Sequence, residues 1–138
     1  MREIKFRAWD EQNKVMHNEV EFIRSGIDGN DWILFKSDKQ KLEDGNVLNN
    51  PYFQQQIKLM QYTGLKDKND VEIYESDIIK AIWSKDCDEY IANEEWIGDI
   101  FFNYGSFDIN GEWCVSLNCF NGTLEVIGNI YENKQLLN

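Results

Sequence analysis

The size and charge of the chain already exclude several classes of protein. Its 138 residues are enough for one domain, or for two small subdomains that share a core. A hydrophobic content of 42% excludes wholesale disorder, and a formal net charge of −11 disfavours a nucleic-acid partner because phosphates repel an acidic surface.

Two-residue alternation predicts strands in the first half of the chain. Ile4, Phe6 and Ala8 alternate with Lys5 and Arg7, which is the spacing of a half-buried strand. Further strands are predicted over residues 15–23 and 32–35, with turns over 10–13 and 25–31 and a polar segment over 36–55. Within the polar segment a short helix is predicted either over residues 39–43 or around residues 52–56.

The second half of the chain predicts short strands joined by turns. The strands cover residues 57–63, 73–83 and 96–103, with a charged turn over 64–70 and a long exposed loop or short helix over 84–95. Ile97, Ile100 and Phe102 are the core candidates of the third strand. The last residues, 133–138, are predicted as a frayed tail or a last helical turn.

Two Asn-Gly pairs are candidate hairpin turns. Asn110-Gly111 separates the strand-like residues 107–109 and 112–115, and an Asn-Gly pair accepts the positive φ angles of a type I′ turn. Asn121-Gly122 precedes the apolar residues 123–127 and is predicted to close a second hairpin.

This density of short strands predicts a mainly β (β-rich α+β) protein with antiparallel strands and hairpins, and at most a few short helices. An N-terminal β-rich subdomain is predicted over residues 1–56 and a C-terminal SH3-like barrel over residues 57–138; one integrated domain over 1–138 is the alternative. The Asp77-Ile78-Ile79 step is similar to the entry strand of such barrels, and a closed barrel removes exposed strand edges.

Three segments together resemble the YopX family of small phage and prophage proteins. They are residues 1–10 (MREIKFRAWD), 59–69 (LMQYTGLKDKN) and 126–133 (VIGNIYEN). The family usually has Gly at the positions that Asp70 and Ser76 occupy here. Asp tolerates left-handed backbone geometry, so the first turn can persist, whereas Ser76 indicates that its position does not require a positive φ angle.

The resemblance implies a phage or prophage origin, a β-rich fold and a location in the host cytoplasm. It implies no established activity and no catalytic residues. A cytoplasmic location also agrees with the residues, because no apolar run approaches the length of a membrane span and residues 1–10 lack the apolar core of a secretory signal.

No catalytic residue, metal site or cofactor site is predicted. Residues 67–72 offer carboxylates at calcium-loop spacing but lack the Gly and distal Glu of an EF-hand, so a charged hairpin turn is the better interpretation. His17 is the only histidine, and no nucleophile, zinc or redox motif surrounds any cysteine: these are Cys87, Cys114 and Cys119.

The sequence therefore predicts a non-enzymatic accessory protein that binds a host or phage macromolecule, with a protein partner favoured. A nucleic-acid-binding barrel that uses its N-terminal basic residues is one alternative, a metal-dependent hydrolase is the less favoured one, and a homo-oligomer is possible. The candidate binding residues are basic or aromatic, namely Arg2, Lys5, Arg7, Trp9, Tyr62 and Trp83.

Overall fold

A computed structural model describes residues 3–24, 31–35, 57–84, 94–111 and 114–137. Within these ranges most residues belong to β-strands joined by turns, and the one helical segment is a 3₁₀ helix over Lys134–Leu137. The strands are β1 Phe6–Asp10, β2 Val15–His17, β3 Val20–Arg24, β4 Asp31–Phe35, β5 Ile57–Lys66, β6 Glu72–Tyr74, β7 Asp77–Trp83, β8 Glu95–Asn103, β9 Ser106–Asn110, β10 Val115–Ser116 and β11 Gly122–Asn129.

The chain divides into two compact units, Ile4–Gln61 (the first unit) and Tyr62–Asn138 with Met1–Glu3 (the second unit). Strand β5 contributes residues to both, since the division falls between Gln61 and Tyr62. The predicted division into two subdomains at residue 57 stays a prediction, as does the alternative of one integrated domain.

Antiparallel pairing organises the first unit. Strand β1 lies between β2 and the Ile57–Gln61 part of β5, and β3 pairs with β4. The predicted strand over 15–23 is thus two strands, which the break at Asn18 and Glu19 separates. A small core forms where the buried residues Ala8 and Ile57 pack with Val20.

An antiparallel sheet of five strands in the order β10-β9-β8-β7-β11 dominates the second unit. The sheet curls into half a barrel. The mainly β prediction is confirmed, and the predicted C-terminal barrel is observed as this half-barrel. Its core consists of the buried residues Ile73, Ile79, Ala81, Trp96, Ile100, Phe107, Ile109 and Leu117. Because side chains alternate along a strand, each of these strands presents one apolar face to that core.

The turn of the β5–β6 hairpin lies along the outer edge of β11. The backbone N–H of Lys68 donates to the carbonyl oxygen of Leu124 (3.0 Å), and the N–H of Val126 donates to the Asp67 carboxylate (2.9 Å). Open strand edges recruit other chains, so this side-chain cap protects part of the edge. The charged-turn interpretation of this segment is confirmed.

Both predicted Asn-Gly turns are wrong in their details. The strands on either side of Asn110-Gly111 do pair, but Val115 lies opposite Ile109, so the connection is longer than a two-residue type I′ turn. Gly122 begins β11, which pairs with β7 and not with β10. A Cβ at Gly122 would overlap the carbonyl oxygen of Ile82, so close strand packing and not a turn requires this glycine.

Two of the three core candidates of β8 are also wrong. Ile100 is buried, whereas Ile97 is 40% exposed and Phe102 is 54% exposed. Ile97 and Ile100 have opposite parity along the strand, so both cannot face the same side. Phe102 shares the parity of Ile100 but lies beyond the edge of the core, near the end of the hairpin.

The helices predicted over 39–43 or around 52–56 lie outside the described residues, as does most of the loop predicted over 84–95. The helical-turn alternative for the tail is confirmed by the 3₁₀ helix. None of the helices among the described residues has the length and apolar character of a membrane span.

Ser76 adopts a φ angle of +66°, so the expectation that its position needs no positive φ was wrong. Asp70, at +67°, does adopt the predicted left-handed geometry. Ser76 is held in this conformation because its N–H donates to the carbonyl of Ile100 and its own carbonyl accepts from the N–H of Ile130. Both bonds are made by the backbone, so they do not need the serine side chain.

Replacing Ser76 with glycine is therefore expected to stabilise the protein. Glycine reaches positive φ without the Cβ clash, and after its larger loss of chain entropy the net gain is about 0.5–1 kcal/mol. Denaturant unfolding followed by tryptophan fluorescence measures the gain. Ser76→Ala is the matched control and is expected to show no stabilisation, because alanine retains the Cβ; equal gains in both variants would contradict this account.

Candidate functional site

The β8–β9 hairpin closes through a turn of two residues that the sequence analysis did not single out. Asn103 pairs with Ser106, and between them Tyr104 and Gly105 have φ angles of +44° and +88°. Two consecutive positive φ angles in a two-residue hairpin define a type I′ turn. Asn, Asp and Gly are the usual residues of such turns, so a tyrosine at the first central position is unusual.

Two aromatic side chains protrude at this turn, and we call Phe102 and Tyr104 the aromatic tip. The Tyr104 side chain is fully exposed, and Phe102 is 54% exposed. The ring of Phe102 packs against the buried ring of Phe107 on β9, edge to face, with centroids 5.2 Å apart. This contact fixes one ring of the tip and leaves its outer surface open.

A buried carboxylate holds the two ends of the turn. Asp108 accepts hydrogen bonds from Asn103 Nδ2 (3.2 Å) and from Ser106 Oγ (2.5 Å). Ser106 Oγ also lies 3.2 Å from Ser116 Oγ on β10. Because the bonded residues flank Tyr104 and Gly105 directly, the carboxylate pre-orders the turn that carries the tip.

The tyrosine at the turn is costly to the fold and gains nothing visible in return. A left-handed conformation costs an ordinary L-residue roughly 1–2 kcal/mol, and a fully exposed ring buries no apolar surface to offset it. Strained residues that contribute no packing are concentrated at functional sites. The tip is therefore the best candidate site among the described residues.

The negative charge of the protein is concentrated in the same part of the chain. Residues 62–138 contain five Lys and Arg against fifteen Asp and Glu, whereas residues 4–61 contain eight against nine. Residues 86–133, which include β8, β9, β10 and β11, contain ten Asp and Glu but no Lys, Arg or His. The aromatic tip thus belongs to a long stretch of chain without a single cation.

Three of the six Lys and Arg in the second unit form ion pairs among the described residues. Three surface ion pairs join its lysines to carboxylates: Lys66 with Asp70 (3.0 Å), Lys68 with Glu125 (2.6 Å) and Lys80 with Glu95 (2.8 Å). The pairing with Asp70 and that with Glu95 raise the pKa of Lys66 and of Lys80, respectively. Exposed pairs of this kind add little stability but do neutralise the lysines locally.

Three of the predicted basic and aromatic residues lie in the first unit and are partly or wholly buried: Lys5, just before β1, and Arg7 and Trp9 within β1. Lys5 and Arg7 are half-buried, and the Nε atom of Arg7 is inaccessible. Trp9 is buried, and its Nε1 donates to Glu11 at 2.8 Å, so its ring packs inward and does not form an open stacking surface. Arg2 lies outside the described residues.

The two predicted aromatic residues of the second unit also make internal contacts. Tyr62 is buried and its ring packs 5.4 Å from that of Tyr74. Trp83 is half-buried between Trp96 and Phe120, with centroid distances of 5.4 and 4.8 Å. A binding role for any of the six predicted residues stays a prediction.

Among the described residues, the carboxylates that were considered for metal binding make other contacts. Asp67 accepts N–H groups of the backbone, and Asp70 pairs with Lys66. Over the ranges that the structure describes, no group of three His, Cys, Asp or Glu converges as metal ligands would. The metal-dependent hydrolase alternative would also use Asp86 and Asp88 of the loop predicted over 84–95, and both lie outside those ranges.

The sequence did carry a signal for the tip, although a weak one. Asn103, Gly105 and Ser106 are turn-forming residues that surround Tyr104; the apolar pair Phe101-Phe102 precedes them, and the alternating sequence Phe107-Asp108-Ile109 follows them. The Asn-Gly pair at residues 110–111 matches the residue preference of a type I′ turn better, so the sequence predicts the turn there and not at Tyr104-Gly105. Exposure of Phe102 could not be predicted, because its parity along β8 places it with the core residues.

The comparison with protein families matches residues 5–138 to the family described as YopX protein. The chain belongs to the YopX family. Because the match spans nearly the whole chain, both units are part of the family architecture. This confirms the resemblance that the three segments at residues 1–10, 59–69 and 126–133 indicated.

Two solved structures share this YopX-family fold over their whole length. Protein EF1440 from Enterococcus faecalis is 28% identical, with a TM-score of 0.55, and YopX from Bacillus subtilis is 20% identical, with a TM-score of 0.62. In both cases the alignment covers 100% of each chain. No curated protein matches the chain in sequence. These similarities support the fold and carry no activity with them.

Proposed function

We propose that this YopX-family protein is a non-enzymatic phage or prophage accessory protein that acts in the host cytoplasm by binding a protein with a basic surface. The observation that carries the proposal is the unequal distribution of charge. Residues 86–133 contain ten carboxylates and no cation, and the described part of this stretch includes four of the five strands of the second unit's sheet. An excess of one charge attracts partners of opposite charge and accelerates their association.

A protein partner fits the described residues better than a nucleic acid does. Binding to a nucleic acid rests mainly on Lys and Arg that neutralise phosphates, and residues 62–138 carry a large excess of carboxylates. Lys5 and Arg7, on which the nucleic-acid alternative depends, are half-buried. The phage origin and the cytoplasmic location rest on the family membership and its resemblance to phage proteins.

The proposal is tested by affinity capture with a salt series. The purified protein is immobilised and incubated with lysates of Enterococcus faecalis and Bacillus subtilis, the source organisms of two structures similar to this chain. We expect retained proteins to be basic, with a pI above about 9, and to be released between about 50 and 500 mM salt, since screening weakens contacts between surface charges. Single-stranded oligonucleotides are titrated in parallel.

A pair of matched charge reversals shows which unit is responsible. Glu94→Lys with Glu132→Lys removes exposed carboxylates from the second unit, and Glu11→Lys with Glu19→Lys makes the same charge change in the first unit. We expect the former pair to reduce retention several-fold and the latter to leave it nearly unchanged. Failure to retain any basic protein at low salt, or tight oligonucleotide binding instead, would overturn the proposal.

A further inference from the structure

We propose that the aromatic tip, Phe102 and Tyr104, is the anchor that this protein inserts into an apolar pocket on its basic partner. The inference rests on the proposed function, and it adds which residues make the decisive contact and what the partner must offer them. Its starting point is geometric: a convex hairpin end carries two exposed rings on a turn that neighbouring side chains hold rigid.

The tip has the properties of an interface hot spot. Aromatic anchors dominate binding energy when they enter a pocket in a defined conformation, because little side-chain freedom is then lost. Here Phe107 supports the ring of Phe102, and the Asp108 carboxylate binds the residues on either side of Tyr104 and Gly105. The exposed rings are thus pre-ordered before any partner arrives.

The charge around the tip selects among possible occupants. Strands β8 and β9 carry no cation. Their carboxylates are the buried Asp108 at the tip, Asp99 in the middle of β8, and Glu95 at the far end of β8, where it pairs with Lys80, so a basic surface is complementary to the tip. The faces of exposed Phe and Tyr rings also attract the guanidinium groups of arginine through cation–π contacts. A pocket that is lined by apolar groups and surrounded by Arg or Lys is therefore complementary both to the exposed rings and to the negative charge of the protein.

The other occupants fit less well. A second copy of this chain would bring two acidic surfaces together, and like charges across an interface cost affinity. A single-stranded nucleic acid could stack on the rings, but binding also needs a positively charged groove for its phosphates, and residues 86–133 supply no cation. A basic protein is the occupant to which the observations commit.

Site-specific photo-crosslinking tests the position of the contact. Benzoylphenylalanine replaces Tyr104 in one version of the full chain and Val71 in another, because Val71 is a 46% exposed apolar residue at the end of the β5–β6 hairpin of the same unit. After irradiation in the two lysates, mass spectrometry identifies the products. We expect position 104 to yield one dominant adduct with a basic protein, and position 71 to yield little of it.

Affinity measurements with that purified partner test the energetic role of the rings. Tyr104→Asn is the key variant, since asparagine is a preferred type I′ residue, so it should raise the unfolding midpoint while removing the ring. We expect Tyr104→Asn and Phe102→Ser each to weaken binding by about tenfold or more, as loss of an anchor does. Val71→Thr is the control and should bind within about twofold of wild type.

The outcomes separate this inference from the proposed function. If basic proteins are captured but Tyr104→Asn binds them as wild type does, or if no adduct forms at position 104, the anchor is elsewhere and the inference fails while the function stands. An adduct with a second copy or with nucleic acid also overturns the inference. If no basic protein is retained in the affinity capture and none is crosslinked at either position, the proposed function and the inference fail together.

Discussion

Replacing Asp67 with alanine is expected to lower the free energy of unfolding by about 3 kcal/mol. Charge-assisted hydrogen bonds to a buried carboxylate are each worth about 1.5–3 kcal/mol, and partial rearrangement of the turn recovers some of the loss. The buried Asp67 carboxylate accepts the backbone N–H groups of Asn69 (2.7 Å), Val71 (3.0 Å) and Val126 (2.9 Å). Its removal would open the hairpin turn and expose the edge of β11 at once.

Asp67→Asn separates the charge from the shape of this side chain. Oδ1 accepts from Asn69 and Val71, so an amide oxygen there retains those bonds, but the amide nitrogen would then face the N–H of Val126. Two opposed donors cost one hydrogen bond and its desolvation, so we expect a loss of about 2 kcal/mol at pH 7. Denaturant unfolding at constant salt measures both variants.

Asp70→Asn is the matched control in the same turn. Its side chain is 83% exposed and its carboxylate pairs with Lys66 at the surface, so we expect a loss below about 0.5 kcal/mol. Asparagine also tolerates the φ angle of +67° at this position. A loss for Asp70→Asn equal to that for Asp67→Asn would show that the charge of the turn, and not the buried network, is responsible.

The contribution of Asp67 should depend on pH in a defined direction. Burial by itself raises the pKa of Asp67, but the hydrogen bonds from Val126, Val71 and Asn69 outweigh it and lower the pKa below its ordinary value of 3.8. A carboxylate whose pKa is depressed by folding stabilises the native state above its unfolded pKa, and that stability is lost as pH falls through the folded pKa. The difference in free energy of unfolding between wild type and Asp67→Asn should therefore decrease below a pH of about 4.

The second large effect is expected at a glycine inside the sheet of the second unit. Gly98 lies in β8 opposite Ile79 of β7, and a Cβ there would overlap the backbone oxygen of Asn110 and approach Ile109 Cγ2 to 2.9 Å. A backbone oxygen cannot move without disturbing the β8–β9 pairing. Gly98→Ala should therefore destabilise the protein by about 3 kcal/mol, at the upper end of the cost of overpacking.

Ile97→Ala is the control for this prediction, because its side chain is 40% exposed on the other face of β8. We expect a loss of about 1 kcal/mol or less for a truncation that leaves no closed cavity. The unfolding midpoints of both variants are compared in the same denaturant series. A Gly98→Ala protein as stable as Ile97→Ala would show that the two strands separate more easily than their close approach implies.

The strand pattern and the family were within reach of the sequence. Alternation over residues 4–8 and 57–63, together with turn residues between apolar runs, predicted a mainly β chain, and three short segments indicated the YopX family. Both depend on residues near one another in the chain. Strand periodicity is a local property, and so is the match of a segment to a family.

The turns were predicted less well because turn preference is weak and tertiary contacts override it. Asn110-Gly111 has the preferred residues yet closes a longer connection, whereas Tyr104-Gly105 forms the type I′ turn. Ser76 reaches a positive φ angle because backbone partners on Ile100 and Ile130 hold it there. No property of the serine itself signals that conformation.

The acidic charge, the absence of cations over residues 86–133, the β-rich class and the family were determined by the sequence alone, since composition and alternation need no contact between distant residues. The tertiary structure alone decided that Phe102 leaves the core, that Tyr104 stands exposed on a turn braced by Asp108, and that Asp67 covers the edge of β11. The reason is physical: exposure and edge capping depend on which strands pair and in what register, and a register is fixed by side chains from several strands together.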